Sequence, residues 1–188
     1  MSSPLRPAHP KGLYILFATE MWERFNYYGM RAILILFMTQ ALTFKNNFAS
    51  NLYGSYISLI YLSGLVGGYV ADRYWGNQRS IIAGGLVMAI SEIILFFCAS
   101  LYVQAPELST FLFYAGLGMM IAGNGFFKPN ISNMVGQLYR PSDSRKDSAY
   151  TIFYMGINRG GAWGPWGCGL GGNTGNPEDC KWACRGAA

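Results

Sequence analysis

The chain has 188 residues, of which 52% are hydrophobic and 12% charged, about half the charged share of an ordinary soluble domain. One soluble core of this length cannot bury so much apolar side chain, whereas a bilayer can, so the composition argues against a soluble enzyme. The net charge of +5 comes with no basic run or basic-aromatic patch, which leaves nucleic-acid binding without local support.

A membrane helix needs about 20 mostly apolar residues. The gaps between charged residues predict four complete spans and the start of a fifth. The first runs from about Leu13 to Phe44 and carries Glu20, Glu23, Arg24 and Arg31; the second, about Phe48 to Ala71, holds no charge. The third covers about Ser80 to Val103 with only Glu92 inside, closed by Pro106, and the fourth runs from near Leu108 to near Tyr139 with Lys128 inside. A fifth opens at Ser148 and is expected to become irregular after Asn158. Arg6 and Lys11, Arg73 and Arg79, and Arg140, Arg145 and Lys146 all fall on one side of these spans, so the positive-inside rule places the N-terminus in the cytoplasm. Residues 1–12 read as a cytoplasmic tail followed by a retained first helix, because the apolar stretch is too long and too acidic for a signal peptide.

Ionisable residues within a span cost several kcal/mol and by default face protein or water. Glu20, Arg24, Tyr27, Tyr28 and Arg31 recur at spacings of three, four and seven, which gathers them on one helical face with Glu23 at its edge. That face is expected to line an aqueous cavity; the alternative is an internal clasp between Glu20 and Arg24. Lys128 precedes Pro129 and follows Gly123 and Gly125, a sequence that reads as a polar interruption of the fourth helix. Its alternative is a lysine snorkelling to the headgroups. Gly64 and Gly68 form a GxxxG pattern suited to close helix packing. Glu92 belongs to no motif, and His9, in a Pro-flanked tail, reads as exposed and inert. No HExxH, Walker loop or nucleophile elbow is present.

These residues carry a resemblance. Glu20-Met-Trp-Glu23-Arg24-Phe25-Asn-Tyr27-Tyr28-Gly29 resembles the ExxERFxYYG signature of the proton-dependent oligopeptide transporters, a branch of the major facilitator superfamily. Gly68-Tyr-Val-Ala-Asp72-Arg73-Tyr-Trp-Gly76-Asn-Gln-Arg79 is similar to the superfamily's loop motif between the second and third spans. Gly125-Phe-Phe-Lys128-Pro129-Asn130 and Phe153-Tyr154-Met-Gly-Ile-Asn158 are similar to the family's fourth- and fifth-span motifs.

The resemblance implies an all-α integral membrane protein of the cell membrane, with twelve helices in two six-helix halves rocking about a central site. The chain then corresponds to the N-terminal half, ending near the start of the sixth helix, and is expected not to transport without the C-terminal half. The implied function is proton-coupled symport of di- and tripeptides, with protons as the coupling ion and no other cofactor or metal. Carried over position by position, Glu20, Glu23, Arg24 and Lys128 couple protons. Arg24, Tyr28, Arg31, Tyr61, Lys128, Tyr154 and Asn158 meet the substrate, the cations suiting its carboxylate. Gly68, Asp72, Arg73, Gly76, Arg79 and Pro129 are structural or gating positions. The alternatives are the same fold carrying nitrate or another small anion, and a membrane fragment that does not transport.

From Arg159 to Ala188 the composition shifts, with nine of the 24 Gly, three of the five Trp and three of the four Cys. Gly, Trp, Cys and Arg share G at the second codon base and account for eleven of the residues from Arg159 to Gly172. Residues 159–188 therefore read as a degraded end of the fifth helix, an external loop and the start of a sixth. Arg159 within a span costs about 2.5–3.5 kcal/mol on insertion scales and is expected to weaken that helix. Cys180 and Cys184 resemble a pair, but two thiols alone make no zinc site.

Overall fold

A computed structural model describes residues 9–140 and 142–172, with side chains as far as Gly167. Cys180, Cys184 and the expected loop and sixth helix lie outside the described residues, as does Arg6. Five helices follow one another: α1 (Lys11–Gln40), α2 (Asn46–Val70), α3 (Asn77–Leu101), α4 (Pro106–Gln137) and α5 (Lys146–Gly172). The described residues hold three helices long and apolar enough to cross a membrane, Asn46–Trp75, Asn77–Leu101 and Pro106–Gln137. At 1.5 Å per residue, even 25 residues reach about 38 Å, more than the roughly 30 Å of a hydrocarbon core.

Helix ends follow local chemistry. Helix α1 stops at Gln40, four residues before the predicted Phe44, because the chain turns back through Thr43, which holds a left-handed φ of 55°. Phe44 leaves the helix and packs its ring on Phe48 and Phe113. Between α2 and α3 the backbone winds into one π-helical turn, Ala71–Trp75. That turn closes when the amide of Gly76 donates to the Ala71 carbonyl at 2.8 Å. Gly76 has a φ of 77°, which favours glycine, and this explains the glycine in the loop motif. Pro106 opens α4 at the position where its missing amide costs nothing, with Glu107 beside it favourably placed at the positive helix end.

The packing is set by backbone approach. Helix α3 lies along α4, α1 along α5, and α2 against α4. Among apolar chains, helices associate largely through close van der Waals contact, so small residues mark the seams. Gly84 of α3 and Gly123 of α4 each sit against the other's carbonyl oxygen. On α2 the tight position is Gly67, which lies on the Gly125 carbonyl; Gly64 faces open space and Gly68 makes only ordinary contact with Pro129. The predicted GxxxG pair is therefore not the seam. The seam runs through the glycine between its members.

Two further expectations are corrected. Helix α4 runs unbroken through Pro129. Proline strips the Gly125 carbonyl of its helix amide, and that oxygen is the one packed against Gly67, while the Asn130 side-chain amide donates to the Phe126 carbonyl at 2.6 Å. Helix α5 does not become irregular after Asn158 but continues to Gly172. Its Gly156, Gly160 and Gly164 recur every fourth residue along α1: Gly156 meets Phe17, Gly160 the Met21 carbonyl and Arg24 Cβ, and Gly164 the Phe25 carbonyl. Gly160 and Gly164 thus have a packing reason within the segment read as degraded. Arg159 is exposed, about 100° around α5 from the neighbouring Gly160, and the helix continues through it. Nothing in the packing explains the exposed Trp163 and Trp166.

Two apolar clusters flank the middle of the bundle. One gathers Leu34, Phe37, Met38, Tyr56 and Phe113, and the other Leu13, Phe127, Ile131, Val135 and Phe153. Along α1 the charged residues occupy the stretch between them.

Candidate functional site

Arg24 is the centre of the polar stretch. Its Nη2 lies 2.5 Å from Glu20 Oε1, one turn before it on α1, and its Nη1 lies 3.2 Å from Glu23 Oε2. Glu20 is 1% exposed, Glu23 9% and Arg24 5%. The other Glu23 oxygen, Oε1, accepts from Asn124 Nδ2 of α4 at 2.9 Å. Glu20 alone would have made the clasp read from spacing. The structure instead divides one guanidinium between two carboxylates and fastens the set to α4. Removing two like charges from water requires such a cation, since their mutual repulsion grows as the surroundings become less polar.

Arg31, two turns further along α1, has no carboxylate partner among the described residues. Its Nε donates to Tyr53 Oη of α2 at 2.9 Å, and its guanidinium carbon lies 5.5 Å from the Tyr27 ring, 5.7 Å from Tyr28 and 5.7 Å from Tyr53. A guanidinium held by ring faces and one Nε bond keeps its terminal fork available for an anion. Lys128 behaves alike. Its Nζ sits 4.9 Å from the Tyr61 ring centre and 5.7 Å from that of Tyr27. It therefore points into the bundle and does not snorkel along α4. It forms no ion pair among the described residues.

The structure thus brings Glu20, Glu23, Arg24, Tyr28, Arg31, Tyr61 and Lys128 into one neighbourhood of α1, α2 and α4. Tyr61 is 62% exposed, so the cluster opens on that side. Tyr154 and Asn158, one turn apart on α5, are also exposed and make no hydrogen bond, ion pair or ring contact with the cluster among the described residues. Asp72, Arg73 and Arg79 are exposed and form no ion pair among the described residues, so the latch expected of them is not closed within this chain. Gly76 serves the π-helical turn, and Pro129 the α2–α4 seam.

Three residues escaped the motif reading. Asn124 sits between Gly123 and Gly125, and an amide in an apolar span was itself a signal. Tyr53 and Tyr56 of α2 offered none, because tyrosines in a span more often pack or anchor. His9 is a correction: it is partly buried, with Nδ1 2.8 Å from Tyr139 Oη and the two rings edge to face at 6.0 Å. That contact, with Gly12 against Leu138, sets the start of α1 beside the end of α4.

Comparison with known proteins matches this arrangement. The family model of PTR2, the POT family, matches residues 78–175, just over half of the chain. Curated relatives include an uncharacterized transporter, YclF, of Bacillus subtilis, 41% identical over 162 residues. Another is a di-/tripeptide transporter of Lactococcus lactis subsp. lactis, 43% identical over 164 residues. These alignments cover 84% and 83% of this chain and 31% of each relative, so the chain spans about a third of their length. Among solved structures, a peptide transporter POT in complex with sulfate superposes with a TM-score of 0.83 at 37% identity, covering 99% of this chain and 38% of that one. A POT family transporter in complex with 5-aminolevulinic acid gives 0.82 at 34% identity, covering 95% of this chain and 36% of that one.

Proposed function

This chain belongs to the POT family, and we propose that it supplies one half of a proton-coupled symporter of di- and tripeptides. The observation that carries the reading is the single Arg24 guanidinium shared by Glu20 and Glu23, beside two cations, Arg31 and Lys128, that form no ion pair among the described residues. As a member of a transporter family the chain is read as a carrier, not an enzyme. Its partners are a peptide, protons, the bilayer and a complementary six-helix half. Protons are the coupling ion, and no other cofactor is proposed.

The mechanism follows from partner exchange. A peptide carboxylate docks on the guanidinium fork of Arg31 and the ammonium of Lys128 and competes for Arg24. Glu20 or Glu23 then loses its cation and, in a poorly polar site, takes up a proton more readily. By linkage, protonation favours peptide binding in return. Tyr28 and Tyr61 shape the pocket, and Tyr154 and Asn158, exposed on α5, are left to meet the substrate from that helix. We place the N-terminus in the cytoplasm, with Asp72, Arg73 and Arg79 at the gate on that face.

A second reading keeps the fold and exchanges the cargo for nitrate or another small anion, because Arg31 and Lys128 present positive charge without a built-in counter-ion. Proteoliposome uptake decides between them. The chain combined with a complementary C-terminal half is expected to accumulate labelled dipeptide when the outside is acidified, and not labelled nitrate. The chain by itself is expected to accumulate neither. Glu20→Gln and Glu23→Gln are expected to lose acid-driven uptake while retaining exchange of peptide for peptide. Nitrate uptake in place of dipeptide installs the second reading, and intact acid-driven uptake in both variants overturns the coupling role.

A further inference from the structure

Glu92 is the one carboxylate of α3 and belongs to none of the motifs. It is half-buried and takes part in no ion pair or hydrogen bond among the described residues. An ionisable side chain in an apolar helix, without a cation, calls for a reason. The reason lies in what it faces. A cavity of about 180 Å³ between α1, α3 and α4 is lined by Glu92, Glu23, Asn26 and Tyr27, with Thr19 and Met88. Tyr27 is shared with the cation cluster, its ring centre lying 5.5 Å from the Arg31 guanidinium carbon and 5.7 Å from Lys128 Nζ.

The cavity and its surroundings hold polar atoms that the protein leaves unanswered. Tyr27 is 3% exposed and Tyr56 2%, and the hydroxyls of both lack a protein hydrogen-bond partner, as does Asn26 Oδ1, while Glu23 Oε2 is answered by its ion pair with Arg24. Tyr56, reaching in from α2, interacts electrostatically with Tyr27, Glu92 and Glu23. Buried polar atoms are nearly always hydrogen-bonded, and a cavity holds water when it is roomy and offers two to four polar partners. At about 30 Å³ per molecule, this one has room for several waters.

We propose that this cavity is a hydrated chamber through which Glu92 and Glu23 exchange a proton, making Glu92 a second proton-carrying carboxyl behind the Arg24 cluster. The inference rests on the proton-coupled reading above and extends it to α3. The exchange balances without another reactant. The Glu92 carboxylic acid releases its proton to a chamber water while the hydrogen-bonded chain passes one proton to a Glu23 carboxylate oxygen. Glu92 ends as the carboxylate and Glu23 as the acid, and the total charge is unchanged. The charged groups around the path are Arg24, Glu20 and Arg31 of α1 and Lys128 of α4; α2 contributes the Tyr56 hydroxyl and α3 only Glu92 itself.

The test is an infrared titration of protonated carboxyl bands, made on the chain in lipid vesicles, with Glu23→Gln, Glu92→Gln and Glu92→Asp. Glu92→Gln is expected to remove one band and to displace the pH at which the Glu23 band, identified by its loss in Glu23→Gln, disappears. Glu92→Asp, which keeps the carboxyl but shortens its reach, is expected to retain a second band and displace both, and it carries the test if Glu92→Gln does not insert. A Glu92 band that does not titrate, or a Glu23 titration unchanged by both substitutions, overturns the proposal. The measurement needs no peptide. Linked carboxyls, together with failure of the chain to take up dipeptide once combined with a complementary C-terminal half, would overturn the symport reading alone.

Discussion

At the scale of single residues, Arg24 holds the site together by standing between two acids. Removing it leaves two buried carboxylates without a counter-charge, and breaking a buried pair in this way costs about 3–5 kcal/mol. Arg24→Ala is therefore expected to lower the unfolding midpoint of the detergent-solubilised chain markedly, and adding Glu20→Gln and Glu23→Gln to it to recover much of the loss. A stable Arg24→Ala protein would mean that the acids are already neutral. A different pair reports on the loop between α4 and α5. Asp143 Oδ2 accepts from Arg145 Nη2 at 2.7 Å, and its Oδ1 from the Arg145 amide at 2.9 Å. These bonds to Arg145, the side-chain ones first, bring the Asp143 carboxyl down to about 2. A folded value below the unfolded one, about 3.9, means that the contribution is complete above the unfolded value and is lost as the pH falls through the folded one. Protease cutting of this loop is expected to be flat with pH above that window and to rise only within it, and Asp143→Asn is expected to remove the dependence.

At the scale of helices, the seams depend on positions where a methyl group has no space. A Cβ on Gly67 would collide with the Gly125 carbonyl and one on Gly160 with the Met21 carbonyl, whereas one on Gly64 meets nothing within 4 Å and one on Gly161 makes ordinary contact with Tyr28 at 3.5 Å. Gly67→Ala and Gly160→Ala are expected to cost about 1–3 kcal/mol each, the range for overpacking, and Gly64→Ala and Gly161→Ala close to nothing. Thermal unfolding of the four variants checks the contrast. The same positions show where sequence reading stopped. Charge-free runs found α2, α3 and α4 to within a few residues, because apolar length is a property of one segment. Gly67 as against Gly64 could not be chosen that way, since both lie in a glycine-rich stretch and only the position of α4 distinguishes them. Likewise the cations of the site were readable from their rarity, while Tyr53 and Tyr56 acquire meaning only from the α1 residues that they face. The codon bias read after Asn158 is a property of the text; Gly160 and Gly164 are a property of the contact with α1.

At the scale of the whole molecule, the chain is a multi-pass membrane protein with a group of cations gathered at one end. The contacts of His9 with Tyr139 and of Gly12 with Leu138 put the start of α1 beside the end of α4, so Lys11, Arg140, Arg145 and Lys146 share a face. By the positive-inside rule that face is expected to be cytoplasmic. In a chain whose own four cysteines are replaced by serine, Ser142→Cys is expected to react with an impermeant maleimide only in opened cells, and Asn47→Cys in intact ones. The reverse pattern would invert the topology.

The glycines of α5 bear on how such a molecule can move. With the Met21 carbonyl and Arg24 Cβ lying directly on Gly160, no layer of side chains separates α1 from α5 at the level of the charged site. Side chains that change rotamer are what let packed helices slide by small steps, and a bare backbone contact has none to change. A shift in charge around Arg24 has no slack to be absorbed between these two helices. It is expected to move α1 and α5 together, carrying Tyr154 and Asn158 with the acids of α1 as one piece.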